Sequence, residues 1–198
     1  PKKVSENEMQ GRKDLRGLLT CTIDGEDSRD FDDAISISKN EKGNYCLGVH
    51  IADVGHYVPK DSELDLEAFN RGTSVYFPDM VLPMIPKELS NGICSLNPKV
   101  DRLTLSVLAE IDKAGEVVDY KICESVINSD ERMTYTDVYA VLCGDKEKTQ
   151  RYAKLKDSFF LMQELNEILE KKRTERGALD FDIDEAYIKV DENGKTCD

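Results

Sequence analysis

Asp24-Gly25-Glu26-Asp27-Ser28-Arg29-Asp30-Phe31-Asp32-Asp33-Ala34 packs six acids and one arginine into the ten positions from Asp24 to Asp33. Carboxylates this close repel one another and raise each other's pKa unless a cation lies among them. Hard oxygen donors at this density suit magnesium, manganese or calcium, and not zinc or copper. The flanks decide how the run is held. Cys21-Thr22-Ile23 before it and Ala34 to Ser38 after it alternate with the period of two expected of half-buried strands. Acids fixed between two strands are preorganised, whereas a charged tail leaves them free in water. Phe31 adds an apolar anchor in mid-run, and in an extended chain Asp30 and Asp32 share one side while Asp33 takes the other. A calcium EF-hand loop does not fit. Started at Asp24, it puts Arg29 where the sharp-turn glycine belongs and Ile35 where the bidentate glutamate belongs.

The composition bounds the rest. A chain of 198 residues suits one domain with a sizeable core. It contains no run of about eighteen apolar residues and no signal-peptide pattern. The six cysteines are scattered without a Cys-x-x-Cys pair and there are only two histidines, so a zinc site is not expected. Cys94, Cys123 and Cys143 stand among apolar neighbours, which predicts small buried side chains and a reducing, cytoplasmic setting. A net charge of −13 argues against a domain that grips nucleic acid by itself, because backbone affinity comes from surplus lysine and arginine.

Along the chain, Pro1 to Lys13 reads as a polar, irregular linker from a preceding domain, and 14–198 as the domain itself. Tyr45 to Val54 is expected to pair with Ala34 to Ser38 across the Asn40–Asn44 turn. Ser62-Glu63-Leu64-Asp65 resembles a capping box opening a short helix that Gly72 ends. Pro86 suits the first turn of another. Leu103 to Ile111 and Glu116 to Ile127 form a hairpin around Asp112–Gly115, and Thr134 or Thr136 caps a helix reaching Cys143. A long helix is expected from Gln150 to Arg176, with Leu155, Phe159, Met162, Leu165 and Leu169 on one face and Gly177 at its end. Ala186 to Val190 alternates like a strand, followed by the Asn193-Gly194 pair of a tight hairpin. Strands in runs with inserted helices indicate an α+β fold with a twisted, largely antiparallel sheet.

The string from Thr22 to Ala34 resembles the signature of the RNB (ribonuclease II-type) catalytic domain, in the form typical of its bacterial ribonuclease R branch. Asp14-Leu15-Arg16, Ile51-Ala52-Asp53-Val54, Arg71 to Pro78 and Pro83-Met84-Ile85-Pro86 resemble the family in the same order. So do Leu89 to Pro98, Asp101-Arg102-Leu103 and Glu175 to Phe181. An RNB domain is longer than this chain, so the resemblance covers its N-terminal part.

The resemblance implies a magnesium-dependent 3′-to-5′ exoribonuclease, with manganese as a substitute, that processively hydrolyses single-stranded RNA to nucleoside 5′-monophosphates. It also implies flanking cold-shock and S1-type domains that deliver the RNA 3′ end. Asp24, Asp30, Asp32 and Asp33 occupy the family's four aspartate positions. Asp24 and Asp33 are the expected direct metal ligands, and Asp30 completes or orients that shell, through water. Asp32 is the expected critical catalytic group, positioning the attacking water or a second ion. Glu26 and Asp27 fall outside the four positions. From the sequence alone Val75-Tyr76-Phe77 reads as a core strand, whereas the resemblance puts Tyr76 at the position that stacks on RNA near the 3′ end. His50 and His56 read as structural, Asp53 as a hydrogen-bonding anchor, and Arg71 and Arg102 as partners of phosphate or of acids. Two other readings stand beside the leading one. One is a catalytically silent RNB-like scaffold or RNA-binding module. The other takes Asp24-Gly25-Glu26 as the Asp-x-Glu motif of a different exonuclease superfamily.

Overall fold

Asp24 and Asp33 stand at the ends of two neighbouring strands, so the acidic run joins those strands at one end of a sheet. The computed structural model describes residues 3–78, 80–179, 181, 188–191 and 196–197. In chain order the elements are α1 (Glu6–Met9), β1 (Lys13–Asp14), β2 (Thr20–Asp24), β3 (Asp33–Lys39), β4 (Tyr45–Ala52), α2 (Val54–Tyr57) and α3 (Glu63–Arg71). Then come β5 (Val75–Tyr76), β6 (Val81–Leu82), an irregular helical turn at Leu89–Ile93, β7 (Asp101–Ile111), β8 (Val117–Asn128) and β9 (Glu131–Thr134). The chain continues through α4 (Tyr135–Leu142), α5 (Lys146–Arg151), α6 (Lys156–Glu175), β10 (Lys189–Val190) and β11 (Thr196–Cys197).

Seven strands form the main sheet in the order β1-β8-β7-β4-β3-β2-β9. The β1–β8 and β2–β9 pairs are parallel and the others antiparallel, so the expected α+β class holds. The β3–β4 and β7–β8 hairpins form where the alternation and turn residues place them. Gly115 closes the second with a φ of +78°, and a Cβ there would lie 2.8 Å from the Ile168 side chain, so only glycine fits. Ser62 caps α3 by accepting from the Asp65 amide, and Thr134 caps α4 by accepting from the Asp137 amide. The terminal hairpin pairs Lys189 with Cys197 and Val190 with Thr196; Asp180, Ala186, Tyr187 and the Asn193-Gly194 turn lie outside the described residues.

Three packed clusters hold the sheet. Cys21, Met133, Val141, Tyr152, Leu155 and Phe159 lock α4 and α6 onto β2 and β9. Ile37, Tyr45, Ile111 and Leu165 seat α6 on the hairpin ends. Leu15, Phe31, Ala34, Ala52, Leu96 and Ile127 form the third, under the acidic run. Each fully buried large apolar side chain of this kind contributes about 1.5–3 kcal/mol.

Four expectations are corrected. The period of two fails on β2, where Thr20, Cys21 and Thr22 are all buried, because this strand lies between β3 and β9 with both faces covered. The long helix begins at Lys156, not Gln150. Tyr152 and Leu155 are both buried and the Tyr152 hydroxyl donates to Asp137 at 2.6 Å, which turns the chain between α5 and α6. The irregular course expected over 1–13 gives way to α1 at Glu6–Met9 and β1 at Lys13–Asp14. The polar residues of this stretch find partners far along the chain: Arg12 pairs with Asp53 at 2.6 Å, Glu8 with His56 at 3.1 Å, and Lys13 enters β1. Cys143 is exposed, since it caps the solvent end of α4, and Cys123 is half-buried; Cys94 is buried as expected.

Candidate active site

The acidic loop is held largely by its backbone. Phe31 drops into the core with 6% of its surface exposed. Its amide donates to Ser95 Oγ at 3.0 Å, and the same hydroxyl donates to the Arg29 carbonyl at 3.1 Å. The Phe31 carbonyl accepts from the Leu96 amide at 2.8 Å and the Asp32 carbonyl from the Ala52 amide at 2.8 Å. On the other side of the loop, Arg132 Nη2 donates to the carbonyls of Gly25 at 2.5 Å and Glu26 at 2.9 Å. The Leu89–Pro98 segment therefore supplies the floor of the site, and β9 its wall.

The four aspartates are electrostatically coupled. Burial pushes the Asp24 carboxyl above its ordinary range; the nearby Thr22 hydroxyl and Arg132 offset part of that rise, while Asp33 and Asp30 add to it. Asp24 Oδ2 and Thr22 Oγ1 are both buried without a hydrogen-bond partner among the described residues, so Thr22 assists by proximity and not through a formed bond. Asp32 keeps an open side to solvent, yet crowding by protein atoms, followed by Asp30, Asp33 and Asp24, raises its pKa as well. Glu26 and Asp27 are exposed.

Tyr76 belongs to this group. Its hydroxyl donates to Asp30 Oδ2 at 2.9 Å, across 46 residues of sequence. The bond to Asp30, then burial, raises its phenol pKa. The core reading of Tyr76 is wrong: β5 and β6 form a separate two-stranded ribbon, and the ring is 65% exposed. A cavity of about 540 Å³ runs beside Asp33 and includes Cys21, Ile23, Ile35, Tyr135 and Tyr139 in its lining. Both tyrosines are exposed.

Among the described residues, no three His, Cys, Asp or Glu side chains converge closely enough to enclose an ion. The donor set still fits a small hard cation. Magnesium is commonly held by one or two carboxylates, with waters and substrate phosphates completing its shell. A buried, unpaired Asp24 oxygen beside coupled Asp30, Asp32 and Asp33 is such a donor set.

The remaining candidates are structural. His50 is buried between Ser36 Oγ at 3.0 Å and Ser106 Oγ at 2.7 Å, and burial lowers its pKa to about 4. Asp53 caps α2 through the His56 amide and anchors Arg12. Arg71 pairs with Glu67 at 2.9 Å. Arg102 donates to the Ser95, Asp101 and Gly92 carbonyls, which braces the floor segment. Sequence reasoning passed over Ser95, Arg132, Tyr135 and Tyr139 as site residues, since only the folded chain brings them to the acids.

The RNB domain family matches residues 12–198. This chain belongs to the RNB domain family. The domain is 54% identical over 194 residues to Ribonuclease R 1 of Lactococcus lactis subsp. lactis (strain IL1403), a match covering 98% of this chain and 24% of the relative. It is 53% identical over 199 residues to Ribonuclease R of Thermotoga maritima, covering 100% of this chain and 28% of the relative. The RNB chain thus spans about a quarter of the length of these curated relatives. Its fold matches Mycoplasma genitalium RNase R, solved in complex with ribose methylated single-stranded RNA, with a TM-score of 0.85 and 32% identity over 98% of this chain and 30% of that one. Membership sets aside the Asp-x-Glu superfamily, and the RNB site offers that motif nothing: Glu26 is exposed and His50 is enclosed by serines.

Proposed function

We propose that this RNB domain carries the acidic half of the active site of a 3′-to-5′ exoribonuclease that degrades single-stranded RNA processively to nucleoside 5′-monophosphates. The observation that carries the reading is the junction of Tyr76 with the acidic loop: an exposed ring tied to Asp30, beside three further coupled aspartates. Asp24 and Asp33 would hold magnesium, or manganese in its place, with Asp30 completing the shell. Bound there, the ion supplies charge neutralisation at the scissile phosphate and a hydroxide at neutral pH.

The residues divide the remaining work. Asp32, raised in pKa and open to solvent, orients and accepts a proton from the attacking water. Tyr76 offers its ring face to the last bases, each such stack being worth about 1–3 kcal/mol. Tyr135 and Tyr139 extend a similar surface along the cavity beside Asp33. The net charge of −13 makes RNA capture the task of other parts of the full-length protein, for which flanking cold-shock and S1-type domains are suited. RNA as the partner is supported by Mycoplasma genitalium RNase R, solved in complex with single-stranded and with double-stranded RNA. A cytoplasmic setting accords with the free cysteines.

The test uses the full-length protein, a 5′-labelled RNA and DNA of the same sequence, with magnesium. RNA should shorten from its 3′ end to a short limit product while DNA is spared, and Asp32→Asn should slow turnover by at least about 100-fold. Equal digestion of DNA, or near-wild-type turnover by Asp32→Asn, would contradict the proposal.

A further inference from the structure

We propose that Arg132 is a positioning residue for the acidic loop, gripping its backbone through the shape of the guanidinium, which its positive charge alone does not supply. Its activity assay rests on the exoribonuclease reading above; its backbone assay does not. Arg132 lies on β9, whose parallel register sets it opposite Thr22 and sets Thr134 opposite Asp24. From that strand a single nitrogen, Nη2, bonds two consecutive carbonyls, those of Gly25 and Glu26, directly after Asp24. The guanidinium carbon meanwhile lies 5.5 Å from the centre of the Phe31 ring. One side chain therefore touches the loop at both ends: the turn that follows Asp24, and the residue between Asp30 and Asp32.

The choice of acceptors is informative. Six acids lie within this loop, yet the hydrogen bonds of Arg132 go to main-chain oxygens. Its Nε is buried without a partner among the described residues, so the group is not placed to maximise its own bonding. A planar guanidinium can stack on a ring while donating in its own plane, which the compact ammonium of lysine cannot do. The Gly25 carbonyl also accepts from the Ser28 amide at 3.2 Å, so the turn and the arginine fix the same oxygen. Release of this grip lets the loop pivot about Phe31, which would separate Asp24 from Asp30 and Asp32.

The experiment compares Arg132→Lys and Arg132→Met with wild type in the full-length protein, reading kcat and KM on single-stranded RNA and amide exchange across residues 26–30. Both variants should lose about 10- to 100-fold in kcat, since misplacement by about 1 Å can cost about 100-fold, with KM nearly unchanged. Amide exchange across 26–30 should rise in Arg132→Lys whether or not RNA is turned over. Where Arg132→Met does not fold, Arg132→Lys carries both readouts. Wild-type kcat in Arg132→Lys beside a loss in Arg132→Met would overturn the proposal in favour of charge. A raised KM with unchanged kcat would overturn it in favour of RNA contact, and unchanged exchange would overturn it outright. An inactive wild-type protein with raised exchange in the variant would sink the exoribonuclease reading and leave the grip standing.

Discussion

Replacing Ser95 by alanine tests how the acidic loop is fastened. Ser95 is fully buried, and its hydroxyl both accepts from the Phe31 amide and donates to the Arg29 carbonyl. Phe31 is also buried, so its N–H has no access to water once the hydroxyl is gone. A buried donor left unsatisfied costs about 1–3 kcal/mol. Arg29 is exposed, so water replaces the second bond at small cost. The net expectation is a destabilisation of about 2 kcal/mol, which in a chain of this size lowers Tm by about 4–8 °C. Thermal unfolding of the 198-residue chain reads this directly. The exposed control Ser38→Ala should stay within about 0.5 kcal/mol of wild type. A Ser95→Ala variant melting with the wild type would refute the reasoning, because it would mean that the Phe31 amide does not depend on Ser95.

Tyr76→Ala in the full-length enzyme should lengthen the residual end product by removing stacking of about 1–3 kcal/mol per base; an unchanged limit product would remove Tyr76 from the site. Tyr76→Phe keeps the ring and loses only the bond to Asp30, so the product length should hold while turnover changes. His50 gives a pH signature. Buried His50 stays neutral down to about pH 4, whereas the unfolded chain takes up that proton from about pH 6.5. Stability therefore falls as pH drops through this window, by about 3 kcal/mol from this residue. Asp24 and Asp32, both raised, act in the opposite sense and gain stability as they protonate. The His50→Gln variant isolates the histidine: its stability difference from wild type should narrow by about 3 kcal/mol between pH 7 and pH 4 in urea titrations, and a pH-independent difference would contradict the assignment.

What the sequence disclosed was local. The β3–β4 and β7–β8 hairpins follow from alternation and turn residues close in the chain, and the caps at Ser62 and Thr134 from a few neighbouring positions. The four aspartates were legible because they crowd one loop. Features set by distant partners were not. The early start assigned to α6 failed because Tyr152 and Leu155 are captured by a core that periodicity does not see. The order of residues 6–13 depends on Arg12 reaching Asp53 across 41 residues. The exposure of Tyr76, and its bond to Asp30, follow from a ribbon that leaves the main sheet. Arg132 carries no local mark, since its meaning comes from the parallel register of β9 on β2.

The central claim is that these aspartates hold a catalytic cation. Calorimetric titration of the 198-residue chain with magnesium and with manganese, beside an Asp24→Asn, Asp33→Asn double variant, tests it most directly. The account predicts binding by the wild-type chain that the double variant loses while remaining folded. Equal binding by the folded double variant would contradict it, because the ion would then be held by other residues.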